Sequence, residues 1–473
     1  RQMCIRDRLM ILLYVPPVQN FIRKQATAIA SDATGMNISV ERIDLRFPLN
    51  LLVRGVQVVQ SEADAADVQH PDTLLNLGSL NVSVQAWPLL QGRVEVNDIT
   101  LQQVAVNSSN LLEGMHIKGT LGRFFLESHG IDLKKEDAIL NNVELSNTHM
   151  QVMLADTTET PKDSTETAVN WRIALHNLKL KNVSVDLQMP LDSMALGANI
   201  GDASIEDANV DLKRQFYGWR RFTLTESAVN YDSGMAAPVE GFDASHIALR
   251  DIRIGIDSVM ACGRDMNAII REFSMYDRSG LTVTSLTGRL FADSTLIRIP
   301  YLQLKTPHSD MDLTAQTYWK LVDIPTTGHL SARFNANIGK QDVLLFAGGL
   351  PETFKEAYPF RPLVIHAGTE GNLKQMQISR FTAELPGAFF LSGGGELWNL
   401  TDSLTRNGGL DFEMQTQDLN FLTGLTGVTP DGSIIVPDSM NLVARLGLDG
   451  PQCNAILKIK EGEGSLGLDA AYN

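Results

Sequence analysis

The chain has 473 residues, 44% of them hydrophobic and 20% charged, with 40 Lys+Arg against 55 Asp+Glu and a net charge of -15. This composition is too apolar and too evenly spread for a disordered chain, and its acidity repels phosphate backbones, so the sequence predicts no nucleic-acid binding. Its three cysteines, Cys4, Cys262 and Cys453, stand too far apart to form a metal-type pair.

The charged stretch Arg1 to Arg8 resembles read-through sequence. It precedes an apolar run of seven residues, Leu9 to Val15, ended by Pro16-Pro17. A membrane-spanning helix needs about 20 apolar residues, so this run is too short to cross by itself. Residues 1–17 read either as the remnant of a truncated membrane anchor or as a short apolar segment packed on a soluble domain. Residues 18–35 then predict an amphipathic helix. Val18, Phe21, Ile22 and Ile29 form its apolar stripe, Pro17 suits its first turn and Gly35 its end. The stripe is expected to close one end of a groove or to lie on a membrane surface.

Beyond residue 36 the hydrophobic period changes from 3.6 to 2. Leu80, Val82 and Val84 alternate with polar residues, as do Val183, Val185 and Leu187, and Ile252, Ile254 and Ile256. Each run predicts a strand with one apolar and one wet face. Roughly 25 to 30 such segments follow, divided by Gly, Asn, Asp and Pro turn signals. At about 4.8 Å per strand they would stack to roughly 120–145 Å, a length at which a sheet curls or splits. Helical pattern returns only briefly, at 342–347 and 351–358.

The apolar parity slips by one residue at Asp98, Asn142, Asn177, Asn182, Asp207 and Asp251. Such a slip sends later side chains to the other face unless a bulge or turn absorbs it, and Asn and Asp tolerate the left-handed backbone this requires. These positions read as corners that keep one apolar face continuous, or as ordinary hairpin turns. Both readings make them structural. Gly393-Gly394-Gly395 reads as a hairpin bend, and Asp310 and Asp312 as the wet face of a strand. His116 and His129 are the closest pair among dispersed histidines and read as solvent-facing. No phosphate loop, zinc-protease motif, nucleophile elbow or spaced Cys/His set occurs, so neither enzyme activity nor a metal or cofactor is expected.

Several stretches together carry a resemblance. They are Tyr14 to Asn20; Gly35 to Asp44; Ser79 to Leu101; Asp342 to Pro351, with Pro362 to Gly368 and Gly371 to Leu373; and Lys460 to Asn473. In this order the chain resembles the N-terminal part of the TamB branch of the AsmA-like superfamily, in its Bacteroidetes form. The resemblance implies an all-β fold: an elongated, curled, antiparallel-rich sheet forming an open hydrophobic groove over residues 36–473, with a short helical insert near 342–358. It also implies a periplasmic protein held by a single-pass N-terminal anchor in the inner membrane. There it would conduct phospholipid acyl chains toward the outer membrane as part of outer-membrane biogenesis. An outer-membrane barrel of the Omp85 type is the implied partner, met through a C-terminal region expected to lie beyond this piece.

Two other functions stay open. A scaffold for outer-membrane barrel assembly would use strand edges to template its client. A β-helical carbohydrate-active enzyme would show a regular coil length and clustered carboxylates, and neither is visible. The conduit reading names Leu80, Val82, Val84, Val183, Val185, Leu187, Ile252, Ile254 and Ile256 as groove lining.

Overall fold

The computed structural model describes residues 20, 23–24, 27, 31, 36–46, 50–59, 73–85, 96–108, 115–132, 135–154, 170–234, 236–426 and 439–472. Among them the chain forms 23 strands of one open sheet, somewhat fewer than the periodicity suggests. The all-β expectation holds. Two compact units divide the chain, Arg1–Ala236 with Ser245–Arg253, and Ala237–Ala244 with Ile254–Asn473.

In the N-terminal unit the strands are β1 (Asn37–Arg46), β2 (Asn50–Val59), β3 (Thr73–Val84), β4 (Val96–Asn107), β5 (Met115–Asp132), β6 (Asp137–Leu154), β7 (Arg172–Met189), β8 (Met194–Asp211) and β9 (Phe216–Ser233). Each pairs with the next, antiparallel at every step except β6–β7, which is parallel. Strand β10 (His246–Cys262) contains the division between the units. Helical residues Arg23 and Ser31 meet the edge of β1. Arg23 donates to the carbonyls of Val40 and Glu41, and the Ile38 amide donates to Ser31 Oγ at 3.1 Å. Capping an edge strand in this way blocks pairing with another chain.

The registers of these nine strands share a lapse in pairing, and the lapsed positions form a single line across the sheet. It runs Glu41, Gly55, Gly78, Gln103, Gly122, Asn147, Asn182, Gly201, Glu226. Gly55, Gln103, Asn147, Asn182 and Glu226 hold left-handed backbone, with φ of 59, 55, 51, 52 and 52°. One left-handed residue between extended segments turns the strand and reverses its side-chain parity without shifting the pairing. It also brings its own Cβ toward the neighbouring strand. A Cβ on Gly78 would lie 2.9 Å from that of Gln103, and one on Gly122 would lie 2.8 Å from that of Asn147. At these pairs one of the two facing positions must therefore be glycine. At the parallel pair two asparagines meet instead, and Asn182 Nδ2 donates to Asn147 Oδ1 at 2.9 Å.

The C-terminal unit contains β11 (Asp265–Asp277), the two-residue β12 (Thr282–Val283), β13 (Ser285–Ala292), β14 (Leu296–Lys305), β15 (Asp310–Tyr318), β16 (Leu330–Ile338), β17 (Leu363–Asn372), β18 (Gln375–Leu385), β19 (Phe389–Trp398), β20 (Asn407–Thr416), β21 (Asn441–Asp449), β22 (Gln452–Glu461) and β23 (Gly464–Tyr472). From β13 onward neighbours pair antiparallel in chain order. Registers shift between Ile299 and Leu302, between Gly368 and Thr369, and between Ile378 and Phe381. Gly393-Gly394-Gly395 lies in the middle of β19, which corrects the hairpin expectation. A Cβ on Gly393 would strike the Phe412 ring and one on Gly394 would lie 2.7 Å from the Ile378 carbonyl, so close strand approach, not a chain reversal, demands the glycines.

Helices α1 (Trp319–Asp323), α2 (Lys340–Phe346) and α3 (Glu352–Ala357) interrupt this unit. Asp342 in the first turn of α2 accepts hydrogen bonds from the Thr306 and Ser309 hydroxyls, which tie the helix to the β14–β15 turn. Phe354, Tyr358, Leu385, Ala388, Leu419 and Phe421 form a buried cluster, with Phe354 and Phe421 ring centroids 5.9 Å apart. This is the compact hydrophobic core of the unit, and it sits at strand ends.

The crease makes a direct prediction. Gly122→Ala should lower the unfolding free energy read from a urea titration by about 1–3 kcal/mol, because the added carbon has no room. Gly467→Ala, where nothing lies within 4 Å of the new carbon, should stay within about 0.5 kcal/mol.

Candidate functional site: the apolar face

Following the registers across the N-terminal unit gives transverse rows of side chains. One row reads Ile43, Val53, Leu80, Leu101, Phe124, Leu145, Leu180, Ala203, Leu224. The next reads Leu45, Leu51, Val82, Ile99, Leu126, Val143, Leu178, Ile205, Phe222. Across the crease a third reads Ile38, Val58, Leu75, Val106, Gly119, Met150, Val185, Ala198, Val229. No charged or polar side chain interrupts any of them. The parity reversal at the crease is what allows this. Without it, Val183, Val185 and Leu187 would point away from the face that Leu178 and Leu180 occupy.

The C-terminal unit repeats the pattern. Its longest row runs Leu286, Leu304, Met311, Ala336, Ile365, Ala383, Leu391, Met414, Leu442, Ile459, Leu466 across eleven strands. In both units each strand mainly contacts its sheet neighbours, and at the strand ends of the C-terminal unit Met414 of the long row packs against the buried Phe354 cluster. The side chains there are mostly half-buried, as their neighbours in a single sheet can make them. Over β19–β23 the face deepens into an open cavity of about 600 Å³ lined by Leu397, Leu410, Leu446, Leu448, Ala455 and Tyr472.

Leu80, Val82, Val183, Val185 and Leu187 fall on this face, in different rows. Leu80 and Val82 align with Leu180 and Leu178, on one side of the crease. Val183, Val185 and Leu187 lie beyond it, aligned in β8 with Ile200, Ala198 and Leu196. Val84 pairs with Val96 past a register shift. Val183, next to the crease, is 6% exposed, whereas Val185 two residues further is 36% exposed, and Ile252 in β10 is 4% exposed. Ile254 and Ile256 are half-buried. Val18, Phe21, Ile22 and Ile29 lie outside the described residues, as does the apolar run 9–15.

Among the expected corners, Asn182, Asp207 and Asp251 have left-handed backbone, with φ of 52, 50 and 52°. They are corners within strands, not hairpin turns. Asp98 and Asn142 each border a register shift, while Asn177 is paired on both sides. Pairing lapses one residue earlier, at His176 opposite Asp207. Gln103 and Glu226 are corners that the Asn/Asp criterion misses. The slips from Leu101 to Val104 and from Leu224 to Val229 were their visible signal.

The outer face is polar. Asp207 accepts from Arg220 Nε at 2.7 Å and lies 3.1 Å from His176 Nδ1. The Arg220 hydrogen bond, then that of His176, holds the Asp207 carboxyl below its ordinary range. His149 Nδ1 lies 2.6 Å from Ser184 Oγ, and His129 Nδ1 3.3 Å from the Asn141 amide. The His116 side chain is half-buried, with Nδ1 lacking a hydrogen-bond partner. No cluster of three or more His, Cys, Asp or Glu able to hold a metal occurs among the described residues. Cys453 is a free thiol. No family model matches the chain, and no curated protein matches it.

Two outcomes follow. Val183→Asp should destabilise the fold by about 3 kcal/mol or more, since its carboxylate would be shut from water. Val185→Asp, half open to water, should cost clearly less, and outer-face Ser184→Asp least of the three, in the same denaturant titration. Asp207 has a depressed folded pKa, so its contribution is present above the ordinary carboxylate value and is lost as pH falls through the folded value. Asp207→Asn should therefore lose less stability than the parent on acidification below about pH 4.

Proposed function

We propose that this chain carries lipid acyl chains along its apolar face. What supports the reading is the apolar row that crosses eleven strands of the C-terminal unit, with Met414 as the row member that packs against the buried Phe354 cluster. An apolar surface costs about 25 cal/mol per Å² in water, so a continuous one marks the place of an apolar ligand or partner. Ten intervals at about 4.8 Å give a row about 48 Å long, against a bilayer hydrocarbon core of about 30 Å. A row of that length is a path that chains can travel, where a single fatty-acid pocket would be short and closed. Hydrocarbon tails also suit a surface that offers shape and no hydrogen bonds.

On this reading the cargo is phospholipid, with its headgroup in water and its tails in the groove. The resemblance to the TamB branch supports placing the chain in the periplasm, anchored at the inner membrane and working with an Omp85-type barrel in outer-membrane biogenesis. The reading assigns the chain no reaction. Its corner residues and outer-face ion pairs serve to hold the face in shape.

Photo-crosslinkers in living cells test it. Probes at positions 446 and 448 of β21, and at 178 and 180 of β7, should capture phospholipid, while probes at 445 and 181 on the outer face should not. Mass spectrometry of the adducts reads the result. Equal labelling at both parities would remove the conduit, and capture of unfolded barrel polypeptide at the inner positions would put the scaffold function in its place.

A further inference from the structure

On the opposite, polar face of the C-terminal unit, the bulge in β18 builds a second site. Ser379 is the extra residue of that bulge, and both it and Arg380 stand beside Gly368 of β17. Bulges re-aim side chains, and this one turns two consecutive residues outward. On the other side of Gly368 its partner in β16 is Arg333. The three neighbours Arg333, Gly368 and Arg380 thus form a short transverse row in which two guanidinium side chains flank a residue without a side chain. A Cβ on Gly368 would lie 3.1 Å from Ser379 Oγ. The missing carbon leaves an open depression of about 450 Å³.

Its lining is cationic and neutral. Asn335 and His366 complete it, paired across β16 and β17, with His366 Nδ1 2.8 Å from Asn335 Oδ1. A carbonyl oxygen only accepts, so the imidazole donates there and leaves the Asn335 amide protons for another partner. No carboxylate lines the depression. Of the acids nearest by register, Asp312 faces Asn335, and Glu370 faces Ser331 and Gln377. Further along the same row Asp411 is engaged by Arg445 at 2.5 Å. Elsewhere Arg42, Arg172, Arg220 and Arg264 each meet a carboxylate. Arg333 and Arg380 form no ion pair among the described residues, in a chain with 55 acidic side chains against 40 basic ones. Two like charges gathered at one depression repel each other, and a bound anion relieves that repulsion.

We propose that Arg333, Arg380 and the Gly368 floor form a binding site for a phosphate group. Arginine forks match the oxygens of a tetrahedral oxyanion, with Ser379 and Asn335 as further donors. The site is independent of the conduit reading, since it lies on the other face of the sheet.

Equilibrium dialysis of inorganic phosphate against the full chain, at constant ionic strength set with chloride, tests it. The parent should bind in preference to chloride. Arg333→Gln with Arg380→Gln should weaken binding by about tenfold or more. Gly368→Val keeps every charge and fills the floor, and should weaken it by a similar factor. Lys458→Gln, on β22, should leave it within about twofold. Circular dichroism of each variant confirms that the strands persist. Cosedimentation with phosphatidylcholine vesicles, with and without phosphatidic acid, names the source. Phosphatidic acid-dependent binding lost in the double variant assigns a lipid headgroup, and phosphate binding without it assigns the free ion. Binding that survives in Gly368→Val would show diffuse surface charge only and overturn the site, as would no preference for phosphate over chloride.

Discussion

The structure depends on keeping one face of a single-layer sheet apolar over strands too long to stay straight. In the N-terminal unit the central strands run to 18 residues, twice or more the usual length, and they bend. A bend that shifted the pairing would carry polar side chains onto the apolar face from that point onward. The left-handed residues solve this by reversing parity while leaving the register intact. Because the strands are paired, one such residue forces an adjustment in its neighbour, and the adjustment propagates. Hence Gly78, Gly122 and Gly201 answer Gln103, Asn147 and Glu226 across the strand boundaries.

The parallel step between β6 and β7 shows the same constraint from another side. There both strands run the same way and present equivalent backbone, and both carry asparagine in left-handed backbone at the crease. Their side-chain hydrogen bond on the outer face takes the place that glycine fills elsewhere. The C-terminal unit reaches a similar end by different means. Its strands are shorter, and bulges in β14 and β18 absorb the bend where the N-terminal unit uses left-handed residues. In β18 the same device leaves Ser379 and Arg380 side by side on the outer face, so the depression at Gly368 is a by-product of how the inner face stays apolar.

Stability in such a sheet is spread along it. The buried aromatic cluster around Phe354 and Phe421 is local, set at strand ends, and cannot serve the whole face. Elsewhere each apolar side chain is shielded by its transverse neighbours and by whatever lies against the face. Single substitutions should therefore act locally, with their cost set by exposure at the site, as the difference between Val183 and Val185 illustrates.

Strict alternation at Leu80–Val84 and Val183–Leu187 determined the strands and their inner and outer faces, because side-chain direction in a strand depends only on the local backbone. The parity slips at Asn182, Asp207 and Asp251 likewise marked real corners, since asparagine and aspartate occupy left-handed backbone more readily than other side chains. Gln103 and Glu226 carry no such intrinsic preference, and only the strands beside them hold their backbone there. Alignment is also a tertiary result. That Leu80 stands in line with Leu180 and not with Val185 follows from register, which depends on partners far away in sequence. For the same reason the sequence shows Gly368, Arg333 and Arg380 as three unrelated residues. Hydrogen bonding between β16, β17 and β18 places them in one row.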